Sequence, residues 1–510
     1  MFKKILIANR GEIALRIIRA CREMGIKTVT IYPSSIDTDQ FLESKLSDES
    51  YCLGEEGILG YLDQRKIVQI AKKSGANAIH PGYGFLAENG DFADLCKKNR
   101  IKFIGPSGDT LRKLGNKIEA KKIARKIGLP LIMGSEIAVK NEKELLKIAK
   151  EIRPPFLLKA ANGGGGVGIK IIEKENEKEL LEIFQKLKRE TKSAFGSEEI
   201  FIEKFIKNPR HIEFQILGDG KGKVIHFGER ECSIQRRNQK LVEEAPSPFL
   251  DKKMKKKMGK MVIKFGQYLK YESLGTIEFL VGEDKRFYFL EVNPRIQVEH
   301  PVTELVTGID LVEQQIKIAA GEEMTLGQKD IKFSGWAMEF RIYAEEAANN
   351  FQPNEGVITN YLAPTGKGIE IHSFCQPGQR VFPFFDSLLS KLVVFNKHRS
   401  GCIERAKRAF DEYIIDGLPN LIPFYKALLN NQKFLDGNLS TSFIENENLI
   451  SELKKEKLPK KDKVNSQKGE NEELARTVAY LYLAKKKEEP KGQEISRWKM
   501  AERAKVFEEQ

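Results

Sequence analysis

Nowhere in the 510 residues do apolar side chains run for the ~20 positions that span a bilayer, and the opening, MFKKILIANRGE, holds too short an apolar run for a secretory signal. The expectation is a cytoplasmic chain with no membrane partner. Cysteine is sparse: Cys21, Cys52, Cys96, Cys232, Cys375 and Cys402 stand apart without any Cys-x-x-Cys, so neither a zinc cluster nor a disulfide framework is suggested. Gly-x-Gly-x-x-Gly is missing after the first strand, which disfavours hydride transfer on a dinucleotide. The glycine run Gly163 to Gly166 is not followed by Gly-Lys-Ser/Thr, so it is no Walker loop. A net charge of +14 does not by itself point to nucleic acid, because the lysines sit beside glutamates rather than between aromatics on one stripe. Local basic clusters suit a small, phosphate-rich substrate equally well, and no nucleic-acid partner is expected.

What is present is alternation. KKILIANRGEIALRIIRACREMG reads as a strand, a turn at Gly11 and a helix with Ile13, Ile17 and Cys21 on one face, and TVTIYP as the next strand. A helix around Leu62 to Lys73, strand NAIHPG, a helix over Phe92 to Lys98 and strand IKFIGPS continue the pattern, which predicts a parallel sheet. HPGYGFLAEN, ending near Glu88, is a loop at a strand end, either a ligand contact or a structural turn. LGNKIEAKKIARKIGLP reads as one basic helix with Lys117 at its start. Then comes a hairpin, a strand ending in Lys159 and a second strand after Gly168, whose glycine tip suits either a flexible loop or a mobile flap laid on phosphates.

IFIEKFI, with Glu203 and Lys204, reads as a strand whose exit leaves an edge for adenine, and RHIEFQILGDG with KVIHFGERECSIQ as a hairpin. Arg236, Arg237 and Lys240 follow, either a surface basic loop or an oxyanion site. The densest chemistry is EVNPRIQVEHPVTE, Glu291 to Glu304, directly after the apolar strand FYFLEV, with Pro294 keeping Asn293 out of helix. Glu278 is the single acid in strand GTIEFLV, and a buried lone carboxylate is costly unless paired or metal-bound. Glu278, Glu291 and Asn293 offer an all-oxygen set suited to magnesium, the alternative being strand carboxylates salt-bridged to Lys or Arg. Arg341, among apolar residues in GWAMEFRIYAEE, needs a carboxylate, phosphate or ligand partner. Strand signals at GVITNYL, KGIEIHSF and SLLSKLVVF suggest a third, β-rich unit, closed by the helix Cys402 to Ile414, with Asp386 beside aromatics on a turn. After Leu453 a Lys/Glu/Asn/Gln-rich linker leads to two helical patterns, one with Leu474, Val478 and Leu481 on a face, the other carrying Trp498.

Taken together, ANRGEIA, HPGYGFL, the lysine and glycine flap, EKF-x-x-x-PRHIE, ERECSIQRR-x-QK and EVNPRIQVEHPVTE resemble biotin carboxylase, the ATP-grasp component of biotin-dependent carboxylases, over about Met1 to Ile450. The resemblance implies an α/β chain: a doubly wound amino-terminal domain (1–113), an ATP-grasp domain (114–330) with a mobile glycine-rich lid at about 131–206, a β-rich carboxy-terminal domain (331–450), and a charged linker with a short helical tail (451–510). It implies carboxylation of biotin from ATP and bicarbonate through carboxyphosphate, with Mg2+ or Mn2+, in a homodimer served by a separate biotin carboxyl carrier protein or a biotinylated carboxyltransferase subunit. Lys117, Lys159, Gly165, Gly166, Glu203, Lys204, Phe205, Ile206, His211, Gln235 and Asn238 match nucleotide contacts, and Glu278, Glu291 and Asn293 the metal ligands. Lys240, Arg295, Gln297 and Val298 match the bicarbonate cradle, Glu299 the base, and Arg341 the residue that stabilises the biotin enolate.

The chain departs from the pattern at Asn238, where a histidine is usual, at Asn162 and Val167 in the flap, and at Phe340 and Tyr343 beside Arg341. Pro294 and the short tail lean towards a pyruvate or related 2-oxoacid carboxylase over an acetyl-CoA carboxylase. Two other readings are another ATP-grasp ligase that forms an acyl phosphate, such as the bicarbonate-phosphorylating part of carbamoyl phosphate synthetase, and a non-catalytic nucleotide-binding regulatory subunit. Lys499 precedes Met500 as in a biotin attachment site, but it lies in a helical pattern near the chain end with no room for a carrier domain.

Overall fold

Ile5 and Ile7 face one side of the first strand, β1 (Lys4–Ile7), and Leu6 the other, so each side of the sheet receives its own core. The computed structural model describes residues 1–34, 41–135, 137–160, 169–195 and 198–457. Met1–Leu453 form one unit; Lys454–Gln510 form another, of which everything from 458 on, including the Leu474 and Trp498 segments, lies outside the described residues. Strands β2 (Lys27–Tyr32), β3 (Glu49–Cys52), β4 (Ala78–His80) and β5 (Lys102–Phe103) join β1 in a parallel sheet of order β3-β2-β1-β4-β5. This is the doubly wound domain the alternation predicts. Helix Gly11–Glu23 buries Ile13, Ile17 and Cys21 on the Ile5/Ile7 side, while helices Gln64–Ser74 and Gly90–Lys98 supply Ile67 and Phe92 to the other. Gly11 opens its helix at φ +68°, a left-handed conformation that favours glycine. β5 stops at Phe103, shorter than IKFIGPS suggests, because Gly105 and Pro106 turn the chain away.

The basic helix expected over Leu114 to Pro130 is two helices, Gly108–Gly115 and Lys117–Lys126. Asn116 divides them, its side-chain oxygen accepting from the backbone N–H groups of Ile118 and Glu119 as an N-cap. Lys117 is therefore the first residue of the second helix. β6 (Phe156–Ala160), β7 (Ile169–Ile172) and β8 (Ile200–Lys204) form the predicted antiparallel hairpin and its neighbour, in order β7-β6-β8. The glycine tip, with Asn162, Gly165, Gly166 and Val167, lies outside the described residues.

The site stands on an eight-stranded antiparallel sheet built from β9 (Arg210–Asp219), β10 (Val224–Arg236), β11 (Gln239–Ala245), β12 (Glu272–Val281), β13 (Phe287–Asn293), β14 (Trp336–Tyr343) and strands Leu388–Asn396 and Ile369–Ser373. Its order is β13-β12-β9-β10-β11-β14 followed by the last two, so the β-rich third unit is not a separate sheet: β14 hydrogen-bonds directly to β11. One face of β9, β12 and β13 (Ile212, Phe214, Ile216, Ile277, Phe279, Phe289) packs on Met258, Val262 and Phe265 of helix Lys252–Tyr268. Alternation sends His211, Glu213, Gln215, Thr276 and Glu278 to the opposite face, and that face is buried too.

Candidate functional site

Register lines up charge across four strands. Glu291 of β13 pairs with Glu278 of β12, Glu278 with Glu213 of β9, and Glu213 with Arg230 of β10. The first pairing depends on a bulge: Phe289 pairs with Phe279 and Glu291 with Glu278, so Leu290 is an extra residue; were Leu290 paired with Glu278 in regular register, Glu291 would stand opposite Ile277. Like charges directly opposite one another on a sheet destabilise it. Two cations answer them.

Arg230 is fully buried and has an acceptor for each of its five N–H groups. Its Nε donates to Glu213 (2.5 Å), one terminal nitrogen to Gln215 (2.8 Å) and Thr303 (3.0 Å), and the other to Thr276 (3.2 Å) and Gln297 (2.7 Å). Lys240 spends its three ammonium protons on three carboxylates: Glu213 at 2.5 Å, Glu278 at 2.9 Å and Glu299 at 2.7 Å. Glu299 occupies the N-cap of helix His300–Thr307 but does not cap it. Its second oxygen accepts from Arg341 at 2.8 Å, and Arg341 also ion-pairs with Glu243. Burial pushes the Glu299 carboxyl up, yet Lys240, Arg341 and Arg230 outweigh it and hold Glu299 well below the usual carboxylate range. Glu278 behaves alike: burial raises it, but Lys240 and His211, whose Nε2 lies 2.9 Å away, hold it low.

Glu278 Oε1 also accepts from Asn293 (2.8 Å) and Gln297 (2.9 Å). Arg295 donates to Asn293 at 3.0 Å, to the carbonyl of Ile296 at 3.2 Å, and at 2.6 Å to Glu88, which arrives from the HPGYGFLAEN loop. That loop is thus a structural turn, with Asn9 bonded to the carbonyls of Pro81 and Tyr83, and also the source of a carboxylate on the site arginine. Val298 lends its carbonyl to Lys391 at 2.7 Å. Glu291, at the half-exposed end of the row, has Lys117 at 3.7 Å, and burial together with Glu278 pushes its carboxyl up. A divalent cation would relieve that charge where a proton otherwise must. Two register-paired carboxylates and the Asn293 amide oxygen therefore fit magnesium.

A second group lies on the three-stranded sheet. Glu203 receives Lys159 and Lys121, each at 2.5 Å. Lys204 donates to the carbonyls of Arg153 (2.8 Å) and Pro154 (3.2 Å), the Phe205 N–H donates to Pro155, and Ile206 follows half-buried. Gln235 is buried on β10, in register with Lys240. Asn238 follows three positions on, just past the end of β10. With Arg237 it forms the two-residue β10–β11 turn, both at positive φ (66° and 49°), and its side chain is exposed. Arg236 turns to Asn350 and the ring of Phe351, so Arg236, Arg237 and Lys240 do not converge on one anion; Lys240 alone enters the site.

Sequence reasoning passes over Glu213, Arg230, Glu243, Glu339 and Lys391, all buried here. The cue that singles out Glu278, one acid in an apolar strand, was equally available for Glu213 in RHIEFQI and Glu339 in WAMEFRIY.

Three family models match in sequence: the biotin carboxylase N-terminal domain over 1–111, the carbamoyl-phosphate synthase L chain ATP binding domain over 116–326, and the biotin carboxylase C-terminal domain over 339–446. The chain is 48% identical to a biotin carboxylase of Nostoc, across 88% of this chain and 99% of that one. It is 46% identical to a pyruvate carboxylase subunit of Methanothermobacter thermautotrophicus, across 87% and 90%. A solved biotin carboxylase domain dimer of Hydrogenobacter thermophilus 2-oxoglutarate carboxylase, in complex with MgADP, ADP and bicarbonate, superposes with TM-score 0.82 at 45% identity, covering 88% of this chain and 98% of that one.

Proposed function

The chain belongs to the biotin carboxylase family, and from that premise we propose how its own residues carry out the ATP-dependent carboxylation of biotin. The activity consumes ATP and bicarbonate, with magnesium, and delivers the carboxyl group to biotin. The observation that carries the assignment of roles is the shared carboxylate: Glu299 lies between Lys240 and Arg341, one cation for each half of the reaction.

Lys117, Lys159, Glu203, Lys204, Phe205, Ile206, His211 and Gln235 line the path assigned to the nucleotide; Gly165 and Gly166, which the resemblance adds to this set, lie outside the described residues. Glu278, Glu291 and Asn293 would hold the magnesium ion, which would supply charge neutralisation for phosphate oxygens. Lys240, Arg295, Gln297 and Val298 cradle bicarbonate. Bicarbonate entering there takes over part of the donation Lys240 now makes to Glu299, which restores the proton affinity that the lysine suppresses. Glu299 then accepts the bicarbonate proton as the oxyanion attacks the γ-phosphorus, and ADP leaves. The carboxyphosphate releases CO2 and phosphate; phosphate takes the ureido proton of biotin, and Arg341 faces the enolate oxygen that develops.

The carbamoyl-phosphate synthase model matches the nucleotide-binding segment alone, while both flanking segments match biotin carboxylase, so the alternative ligase reading is not favoured. A non-catalytic subunit is disfavoured because Glu299, Arg295, Lys240 and Glu278 are all present and joined in one network, with Glu291 in register beside Glu278. Bicarbonate-dependent ATP hydrolysis stimulated by biotin tests the whole reading. Arg341→Ala is expected to lower biotin carboxylation much more than bicarbonate-dependent ATP cleavage; equal losses would make Arg341 structural.

We place the working chain in a homodimer, supported by the dimer of the 2-oxoglutarate carboxylase domain, and in the cytoplasm; no helix among the described residues is long and apolar enough to cross a membrane. Its biotin arrives on a separate carrier or carboxyltransferase subunit. Intact mass of the purified chain is accordingly expected to show no biotinyl adduct; one on Lys499 would overturn this arrangement. The carboxyl acceptor is served by that other subunit, and relatives at 45–48% identity carry names from pyruvate, 2-oxoglutarate and plain biotin carboxylases.

A further inference from the structure

Behind Arg341 stands an acid pair that the reaction as described does not use. Glu243 of β11 and Glu339 of β14 face each other in register, and both are fully buried. No oxygen of Glu339 or of Glu243 receives a hydrogen bond from the described residues. Glu243 Oε1 instead ion-pairs with the same terminal nitrogen of Arg341 that donates to Glu299. Two carboxylates thus grip one guanidinium nitrogen, while Arg341 Nε has no acceptor among the described residues. The strands supply little else to fix the guanidinium: Tyr343 Oη lies at 3.4 Å from the other terminal nitrogen.

We propose that Glu243 is a positioning residue for biotin carboxylation, holding Arg341 in place during the part of the cycle in which Glu299 carries a proton. The inference rests on the roles assigned above to Glu299 and Arg341. When Glu299 accepts the bicarbonate proton, its charge on Arg341 vanishes at the moment before the enolate needs that cation fixed. Glu243 is the remaining carboxylate on the guanidinium, and it is not reached by Lys240 or Arg230, whose donors are committed elsewhere.

The electrostatics run the same way. Facing Glu243 are Arg341, Glu339 and Tyr343 of β14 and Glu299 ahead of helix His300–Thr307. Lys240 stands on its own strand, Cys232 on β10, Tyr425 on helix Ile422–Leu428, and Lys391 lies beyond Glu339. Burial pushes the Glu243 carboxyl up, Arg341 pulls it down and the charge of Glu299 pushes it up again, which together leave it raised to about 7. Protonation of Glu299 removes that last push, so Glu243 ionises more readily as Glu299 is neutralised, and Arg341 keeps one carboxylate throughout. The ionised form is the gripping form, and with Glu299 neutralised it persists to somewhat lower pH, so carboxylation gains as pH rises towards 7 and loses as pH falls further below it.

The test compares Glu243→Gln and Glu243→Asp with the parent in two assays, biotin carboxylation and bicarbonate-dependent ATP cleavage, from pH 6 to 9. Glu243→Gln is expected to lower the carboxylation kcat about tenfold or more and ATP cleavage by a clearly smaller factor, and to lose the limb near pH 7. Glu243→Asp, which keeps the charge with a shorter reach, retains a limb, and its profile decides the matter if the glutamine variant does not fold. Equal loss of both activities, or an unchanged limb in the glutamine variant, overturns the inference. If Arg341→Ala shifts the ratio of the two activities and Glu243→Gln does not, the assignment of Arg341 stands and only the role of Glu243 falls. If neither shifts it, the reading of the site fails first.

Discussion

Glu299→Gln is expected to cut bicarbonate-dependent ATP cleavage by about 10²–10⁴-fold while nucleotide still binds, the range that loss of a positioned general base produces. Glutamine keeps the length of the side chain and an oxygen for Lys240 or Arg341, but it accepts no proton at neutral pH. The nucleotide set on the three-stranded sheet, with Glu203 between Lys159 and Lys121, makes no contact with Glu299, so ATP affinity is a control for folding as much as for mechanism. Steady-state phosphate release with and without bicarbonate, alongside equilibrium binding of an ATP analogue, measures both. Turnover within about threefold of the parent would remove Glu299 from the role of base. The control matters because Glu299 also neutralises two buried cations, and a variant that lost nucleotide binding as well would be reporting on the cage instead of the proton.

Much of this arrangement was legible in the chain itself. The period-2 runs and glycine turns locate β9, β10, β12 and β13, and the concentration of Asn293, Arg295, Gln297 and Glu299 after a strand marks the site. Sequence could not show which acids face one another, because register is a tertiary property. The Glu291–Glu278 pairing turns on one bulged residue, Leu290, whose presence no local pattern announces. The split of the basic helix at Asn116 was missed although its signal is there: Gly115 is a poor helix former and Asn116 with Glu119 three residues on is an N-terminus pattern, which the structure realises where the Asn116 side chain accepts from Ile118 and Glu119. The expected oxyanion cluster of Arg236, Arg237 and Lys240 failed because a two-residue turn points neighbours in different directions, taking Arg236 to Asn350 and Lys240 into the sheet. Arg230 escaped notice because FGERECSIQ places it between two glutamates, where it reads as an ordinary charged stretch of strand.

Arg230 is where the largest loss of stability is expected. Arg230→Met keeps an unbranched apolar stem but leaves Glu213, Gln215, Thr276, Gln297 and Thr303 without the donors they now share. Removing one partner of a buried ion pair costs about 3–5 kcal/mol, because the other charge stays buried and uncompensated. Glu213 would then depend on Lys240 alone, and burial already pushes its carboxyl up. Its protonation would soften the loss without abolishing it, since Lys240 would in turn hold one charge fewer among its three acceptors. The expected result is a denaturation midpoint well below that of the parent, together with weakened bicarbonate-dependent ATP cleavage from displacement of Gln297 and Lys240. Arg230→Lys should fall between the two, because an ammonium restores the charge but has three donors where the guanidinium fork has five. Comparison of midpoints in urea for the three proteins decides the matter: a methionine variant as resistant as the parent would mean that the row of carboxylates is neutralised by protons or by metal rather than by Arg230.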